Sequence, residues 1–177
     1  MIVNGTRLLK ACPIKSMLTR KHRFEGTSHG LAEAGYDIRI NQTITFSPIS
    51  FWGGPKITVD SENPALEHPF HDSREITKSR FVLASAMEEF QMPNDLVGVV
   101  HDKSTWARKG LSVFNTVIEP GWKGFLTLEL VFHGNEPVTI KRGQGIAQVL
   151  FSRLEEDGDY GDGKYQNQED RPVEARS

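Results

Sequence analysis

Glycine and proline interrupt this chain every few residues, sixteen glycines and nine prolines in 177 positions. That spacing leaves little room for long helices, because each residue type weakens a helix interior. The stretches between the interruptions are short and rich in β-branched and aromatic residues. Tyr36–Ile40, Thr43–Phe46, Arg80–Ala84, Leu96–Val100, Phe125–Phe132, Val138–Ile140 and Ile146–Phe151 all read as strands. Many short strands joined by turns predict an antiparallel sandwich or barrel. Helical periodicity is confined to Thr6–Ala11 and to one turn at Thr105–Lys109. The run Arg142-Gly143-Gln144-Gly145 reads as a turn between two strands.

A chain of this length suits one domain. Its composition changes at Glu155, after which the sequence is polar, glycine-containing and nearly free of aliphatic side chains. The reading is therefore a β domain over residues 1–155 and a terminal segment over 156–177. Such a segment cannot bury enough surface to fold alone. It reads either as a frayed terminus or as a lid that gains order over a ligand. Tyr160, Lys164, Tyr165 and several amides are groups that a lid can use.

Formal net charge is −2, so no global field favours nucleic acid or an anionic membrane. A polyanionic ligand would need a local basic cluster. No window approaches about 18 continuous apolar residues, the length of a membrane span, and the first residues lack the apolar core of a secretory signal. The one cysteine, Cys12, forms no intrachain disulfide, which fits a reducing, cytoplasmic setting. It also excludes a zinc site built on several cysteines. His68 and His71 lie three apart beside prolines and acids and read as an exposed loop or a weak metal site. No Walker loop or GxGxxG motif occurs.

Two segments carry the chemistry. In Asp102–Leu111, Lys103, Arg108 and Lys109 accompany Ser104 and Thr105 directly after an apolar strand. Cations and hydroxyls at that density suit phosphate oxygens, although a solvated basic turn has the same composition. The second segment is the tight turn Glu119-Pro120-Gly121-Trp122-Lys123-Gly124 and the strand after it. Strand alternation puts Phe125, Thr127 and Glu129 on one face and Leu126, Leu128 and Leu130 on the other. Glu129 then sits among apolar neighbours. It is either on a solvated face or a carboxyl of raised pKa, suited to moving protons.

These residues resemble a family. KSTWARKGL resembles the R-S-S-x-A-R-x-G-L motif of dCTP deaminases, and EPGWKGFLTLEL resembles their D-P-G-W-x-G-x-x-x-L-E-[FL]. GYDIRI, MPNDLVGVV, KRGQGIAQVLF and GKYQNQ are similar to further elements of the same family, in the same order. Classical dUTPases carry R-S-G-L-A and I-D-x-D-Y-R-G at the two main motifs. The Pro-Gly-Trp turn, the Ala107-Arg108 pair and Glu129 follow the deaminase side. Lys103 and Glu119 stand where the family usually has Arg and Asp, and the stretch from Leu111 to Glu119 is two residues shorter.

The resemblance implies a mainly β, distorted jelly-roll or β-barrel subunit of the dUTPase-like type, with short helices and a flexible C-terminal tail. It implies a homotrimer with active sites between subunits, acting on dCTP with Mg²⁺ on its phosphates. It implies no bound zinc, since one cysteine cannot supply the usual deaminase ligands. By resemblance Glu129, Ser104 and Arg108 are catalytic. The substrate would be held by Lys103, Ser104, Thr105, Trp106, Ala107, Arg108, Glu119, Thr127, Leu128 and Glu129, with Tyr160, Lys164 and Gln168 closing over it. The alternatives are a dUTPase, a bifunctional enzyme forming dUMP, a hydrolase for a modified cytosine nucleotide, and a non-catalytic nucleotide-binding homologue.

Overall fold

A computed structural model describes residues 1–48, 54–60 and 75–177. His68 and His71 lie outside the described residues. The elements in chain order are β1 (Ile2–Val3), α1 (Gly5–Ala11), β2 (Lys21–Phe24), β3 (Thr27–Leu31), β4 (Tyr36–Arg39), β5 (Thr43–Ser47), β6 (Lys56–Asp60) and β7 (Glu75–Thr77). They continue with β8 (Phe81–Gln91), β9 (Leu96–Asp102), α2 (Ser104–Ala107), β10 (Leu111–Val113), β11 (Val117–Ile118), β12 (Lys123–Phe132), β13 (Val138–Ile140) and β14 (Gly145–Arg153). Every run predicted as a strand falls in one. Both predicted helical stretches are found as short helices, within a residue or two of their expected bounds.

The strands form three antiparallel sheets around one core, and among the described residues no sheet closes into a barrel. Seven strands make the largest sheet, in the order β11-β9-β14-β4-β3-β2 with β1 added to β14. The second sheet is β10-β12-β8, and the third is β13-β5-β6-β7. Ile38, Ile44, Phe46, Phe90, Leu128, Leu130, Phe132 and Phe151 meet in a single buried cluster. The rings of Phe46 and Phe132, 5.3 Å apart, join the third sheet to the second. Burying a side chain of that size contributes about 1.5–3 kcal/mol, so the core alone explains why no staple is needed. No helix among the described residues is long and apolar enough to cross a membrane.

One strand runs further than its apolar pattern suggests. β8 continues through Glu88 and Glu89 to Gln91, and Glu88 is buried. Its carboxylate accepts hydrogen bonds from the backbone N–H and the Nε of Arg39, each at 2.8 Å. A paired carboxylate can stay in the interior where an unpaired one could not.

The pairing of β12 with β8 is irregular at one point. Its register with β8 shifts between Phe125 and Thr127. Leu126 stays in the buried cluster with Leu128 and Leu130, as alternation expects, and also borders the cleft that Thr127 and Glu129 line. Bulges are common next to functional surfaces.

Candidate active site

β12 borders a cleft of about 660 Å³. Its floor is β12 with Leu126, Thr127 and Glu129. One wall is Phe81 and Leu83 of β8, and another is Thr116–Glu119 with Trp122. The roof is the terminal segment, through Tyr160, Tyr165, Gln168 and residues 173–175. Among the described residues no Lys, Arg or His lines it.

Glu129 is the chemically distinctive group here. It is half-buried, and burial pushes its carboxyl above the usual carboxylate range. A hydrogen bond from Thr116 Oγ1 to Oε2, at 3.3 Å, works the other way. No cation contributes to its environment. A carboxyl of raised pKa, open to a cleft and free of a fixed counter-ion, is suited both to take up and to release a proton.

Beside it the backbone of Thr127 faces outward. Ser85, its partner on β8, spends its own N–H on Gln42 Oε1 at 2.8 Å and its C=O on the N–H of Asn41 at 2.9 Å. Thr127 and Ser85 are therefore a non-hydrogen-bonded pair, and the N–H and C=O of Thr127 point to the far edge of β12. On that edge the tail bonds to Phe125 N, Phe114 N bonds to Glu129 O, and Thr127 lies between them. Leu128 does not match its expected role. Its side chain is in the core, and by the same alternation its N–H and C=O turn into the ladder with Ala84.

The roof is held by the start of β12. Tyr160 N donates to Pro120 O at 2.8 Å, Asn167 N to Lys123 O at 2.9 Å, and Phe125 N to Gln168 O at 3.0 Å. The Trp122 indole donates to Tyr165 O at 2.7 Å. Gly124, at φ +130°, lets the tail approach, because a Cβ there would meet Gln168 N at 2.5 Å. The terminal segment was expected to gain contacts only when a ligand arrives, yet it already makes them against its own domain. A glycine-lined strand edge supplies them, and composition does not reveal such an edge. Tyr160 and Gln168 fall on the cleft as expected, and Glu119 lies exposed on its wall. Lys164 does not reach it, and its ammonium sits over the Tyr165 ring, 5.9 Å from the centroid.

The basic segment lies elsewhere in the same chain. Ser104, Ala107, Arg108 and Lys109 are exposed around α2, and Arg108 and Lys109 line a separate cleft of about 550 Å³ with residues 134–139. Thr105 is half-buried on the same turn. Trp106 is buried, its indole donating to Gly145 O at 2.7 Å, so its side chain anchors the turn. Lys103 also departs from expectation. Its ammonium is 2.5 Å from Asp37 and 2.9 Å from Ser28 Oγ, with only 10% of the side chain exposed. Those bonds use two of its three donors and turn it from phosphate toward the interior. Thr116, Trp122 and Leu126 line the cleft without having been expected there, and Tyr165, one of the groups a lid can use, joins them. Only the Trp122 turn motif and the tail tyrosines left any signal.

A family model described as dCTP deaminase-like matches residues 9–154. The chain belongs to that family. The dCTP deaminase of Campylobacter lari is 37% identical over 80% of this chain and 77% of that protein. The dCTP deaminase of Acidobacterium capsulatum is 30% identical over 96% of each chain. Among solved structures, the dCTP deaminase of Agrobacterium tumefaciens is similar with a TM-score of 0.52 at 17% identity, over 86% of this chain and 48% of that one. A dUTPase of Staphylococcus bacteriophage 80alpha is similar with a TM-score of 0.50 at 14% identity, over 85% of this chain and 95% of that one. At those identities the structures speak for the fold, which is the distorted β fold expected from the motifs.

Proposed function

We propose that this chain is a hydrolase that converts dCTP and water to dUTP and ammonia, with Glu129 carrying the proton. The observation that carries the reading is the state of Glu129: half-buried, of raised pKa, and open to a cleft beside the outward-facing backbone of Thr127. The family membership and the dCTP deaminases among its relatives support the choice of substrate.

In this mechanism the Glu129 carboxylate takes a proton from water as the oxygen adds to C4 of cytosine. Glu129 passes that proton to N3. The hydroxyl proton on C4 goes to the amino group, which leaves as ammonia, and C4 becomes the carbonyl of uracil. Thr127 N–H and C=O meet the base edge, Glu119 takes the sugar, and Tyr160 and Gln168 cover both. The cleft beside Glu129 presents carboxylates and no cation among the described residues, so the triphosphate, arriving with Mg²⁺, needs charge from outside it. We infer that a homotrimer supplies it, with Ser104 and Arg108 of one subunit facing the Glu129 cleft of the next. Preorganised donors of that kind stabilise charge developing at C4. Residues 156–177 act as the lid, and the setting is the cytoplasm.

Incubation with dCTP, dUTP and 5-methyl-dCTP, with ammonia and pyrophosphate both measured, tests this. Ammonia from dCTP without pyrophosphate is the expected result. Pyrophosphate from dUTP with no ammonia from dCTP would replace the reading with a dUTPase.

A further inference from the structure

The carboxylate of Glu129 has two oxygens, and one of them is engaged: Thr116 Oγ1 lies 3.3 Å from Oε2. Thr116 is not carried on a free loop. Phe114 N donates to Glu129 O and Val100 N donates to Thr116 O, each at 3.0 Å. Both ends of the short link 114–116 are thus pinned, one to β12 and one to β9. The Thr116 hydroxyl also lies 3.4 Å from Phe114 O. A hydroxyl has one proton to donate, so it goes either to Glu129 or to the Phe114 carbonyl.

Resting on the reading of Glu129 as the proton carrier, we infer that Thr116 is the positioning residue that holds Oε2 of the ionised carboxylate and leaves Oε1 to move the proton. When Oε1 takes the proton from water, Oε2 loses charge and becomes a weaker acceptor. The Thr116 proton can then turn to the Phe114 carbonyl without any covalent change. When Glu129 gives its proton to the base, the bond to Oε2 strengthens again. The hydroxyl therefore favours the ionised form over the neutral one, since hydrogen bonds to charged groups are the stronger kind. It opposes the upward push of burial on the same carboxyl. The other titratable groups on the cleft are Glu119, Tyr160, Tyr165 and Glu174. None of them contributes to the Glu129 shift; its own backbone N–H and the Thr116 hydroxyl work against burial, and Thr116 is the one side chain among them.

The test compares wild type, Thr116→Val and Thr116→Ser in full-length protein, with kcat and kcat/KM for dCTP across pH. Ammonia release by wild type and its loss in Glu129→Gln establish the reading underneath, and their failure would sink both. With those in hand, Thr116→Val should lower kcat roughly tenfold with little change in KM, the loss typical of one hydrogen bond to a charged group. Its acidic limb should move to higher pH, because an unsupported carboxylate ionises later. Thr116→Ser keeps the hydroxyl and should restore both. An acidic limb in Thr116→Val that coincides with wild type, or a Thr116→Ser variant as impaired as Thr116→Val, would reduce Thr116 to a packing role.

Discussion

Glu88 and Glu129 lie on the paired strands β8 and β12, and burial raises the pKa of both. Their fates differ because of what faces them. Arg39 takes both oxygens of Glu88, so that carboxylate is committed to holding β4 against β8. Glu129 meets a threonine on one oxygen and a cleft on the other. Burial raises the energy of a carboxylate, but a fixed cation spends that energy on structure, whereas an open face leaves it for proton transfer. The cations repeat the contrast. Lys103 is locked to Asp37 in the interior, while Arg108, five positions on, is exposed.

The comparison breaks if the lid is dispensable to the open carboxylate. Truncation before Asp157 removes the groups that cover the Glu129 cleft and leaves β1–β14 intact. Turnover of dCTP should fall on the order of 10²-fold, the usual consequence of losing the contacts that position a substrate. The thermal transition should remain cooperative. A truncated protein with full activity would show that the tail merely decorates the strand edge.

The locked cation gives the next largest effect. Asp37→Ala strands the Lys103 ammonium in the interior, and breaking a buried pair from one side costs about 3–5 kcal/mol. Asp37→Ala combined with Lys103→Met removes the orphan charge and should recover part of that stability. Chemical denaturation of the two variants measures it. If Asp37→Ala is as stable as wild type, Lys103 is free to turn outward to phosphate after all.

Glu88→Gln sharpens the contrast between the two carboxylates. It weakens the bonds to Arg39, which is itself 30% exposed in its side chain, so the loss should be about 1–2 kcal/mol. Activity per folded molecule should stay at the wild-type level. A Glu88→Gln variant that folds but loses turnover would mean that the paired carboxylate also takes part in chemistry.

The smallest effect is the stability of Glu129→Gln. A carboxyl whose pKa is higher folded than unfolded opposes folding once pH exceeds the unfolded value, and this penalty grows until pH passes the folded value. Glu129→Gln should therefore melt slightly above wild type at neutral pH, and the difference should vanish in acid, where Glu129 is protonated in both states. Melting curves at the two pH values decide it.

Much of this was legible in the sequence, for identifiable reasons. Strands that alternate, such as Thr43–Phe46, or that carry no polar side chain, such as Leu96–Val100, announce themselves. So does the Pro-Gly-Trp turn before Glu129. What was hidden depends on partners far away in the chain. Lys103 and Asp37 are 66 residues apart, and nothing local says that the lysine will turn inward. The extension of β8 past Glu88 depends on Arg39, 49 residues away. The register shift beside Leu126 comes from extra residues on β8 between Ser85 and Glu89 and leaves no mark on β12 itself. Thr116 reads as an ordinary loop residue until β10 and β12 pair and bring its hydroxyl to Glu129.

In the proposed mechanism the open carboxylate of β12 moves the proton in dCTP deamination. The most direct measurement is ammonia release from dCTP by wild type and Glu129→Gln, with nucleotide binding followed in parallel by calorimetry. Loss of a proton carrier costs about 10²–10⁴-fold, so Glu129→Gln should bind dCTP with near wild-type affinity and release ammonia at least a hundredfold more slowly. A Glu129→Gln protein that turns over dCTP at the wild-type rate would contradict the account.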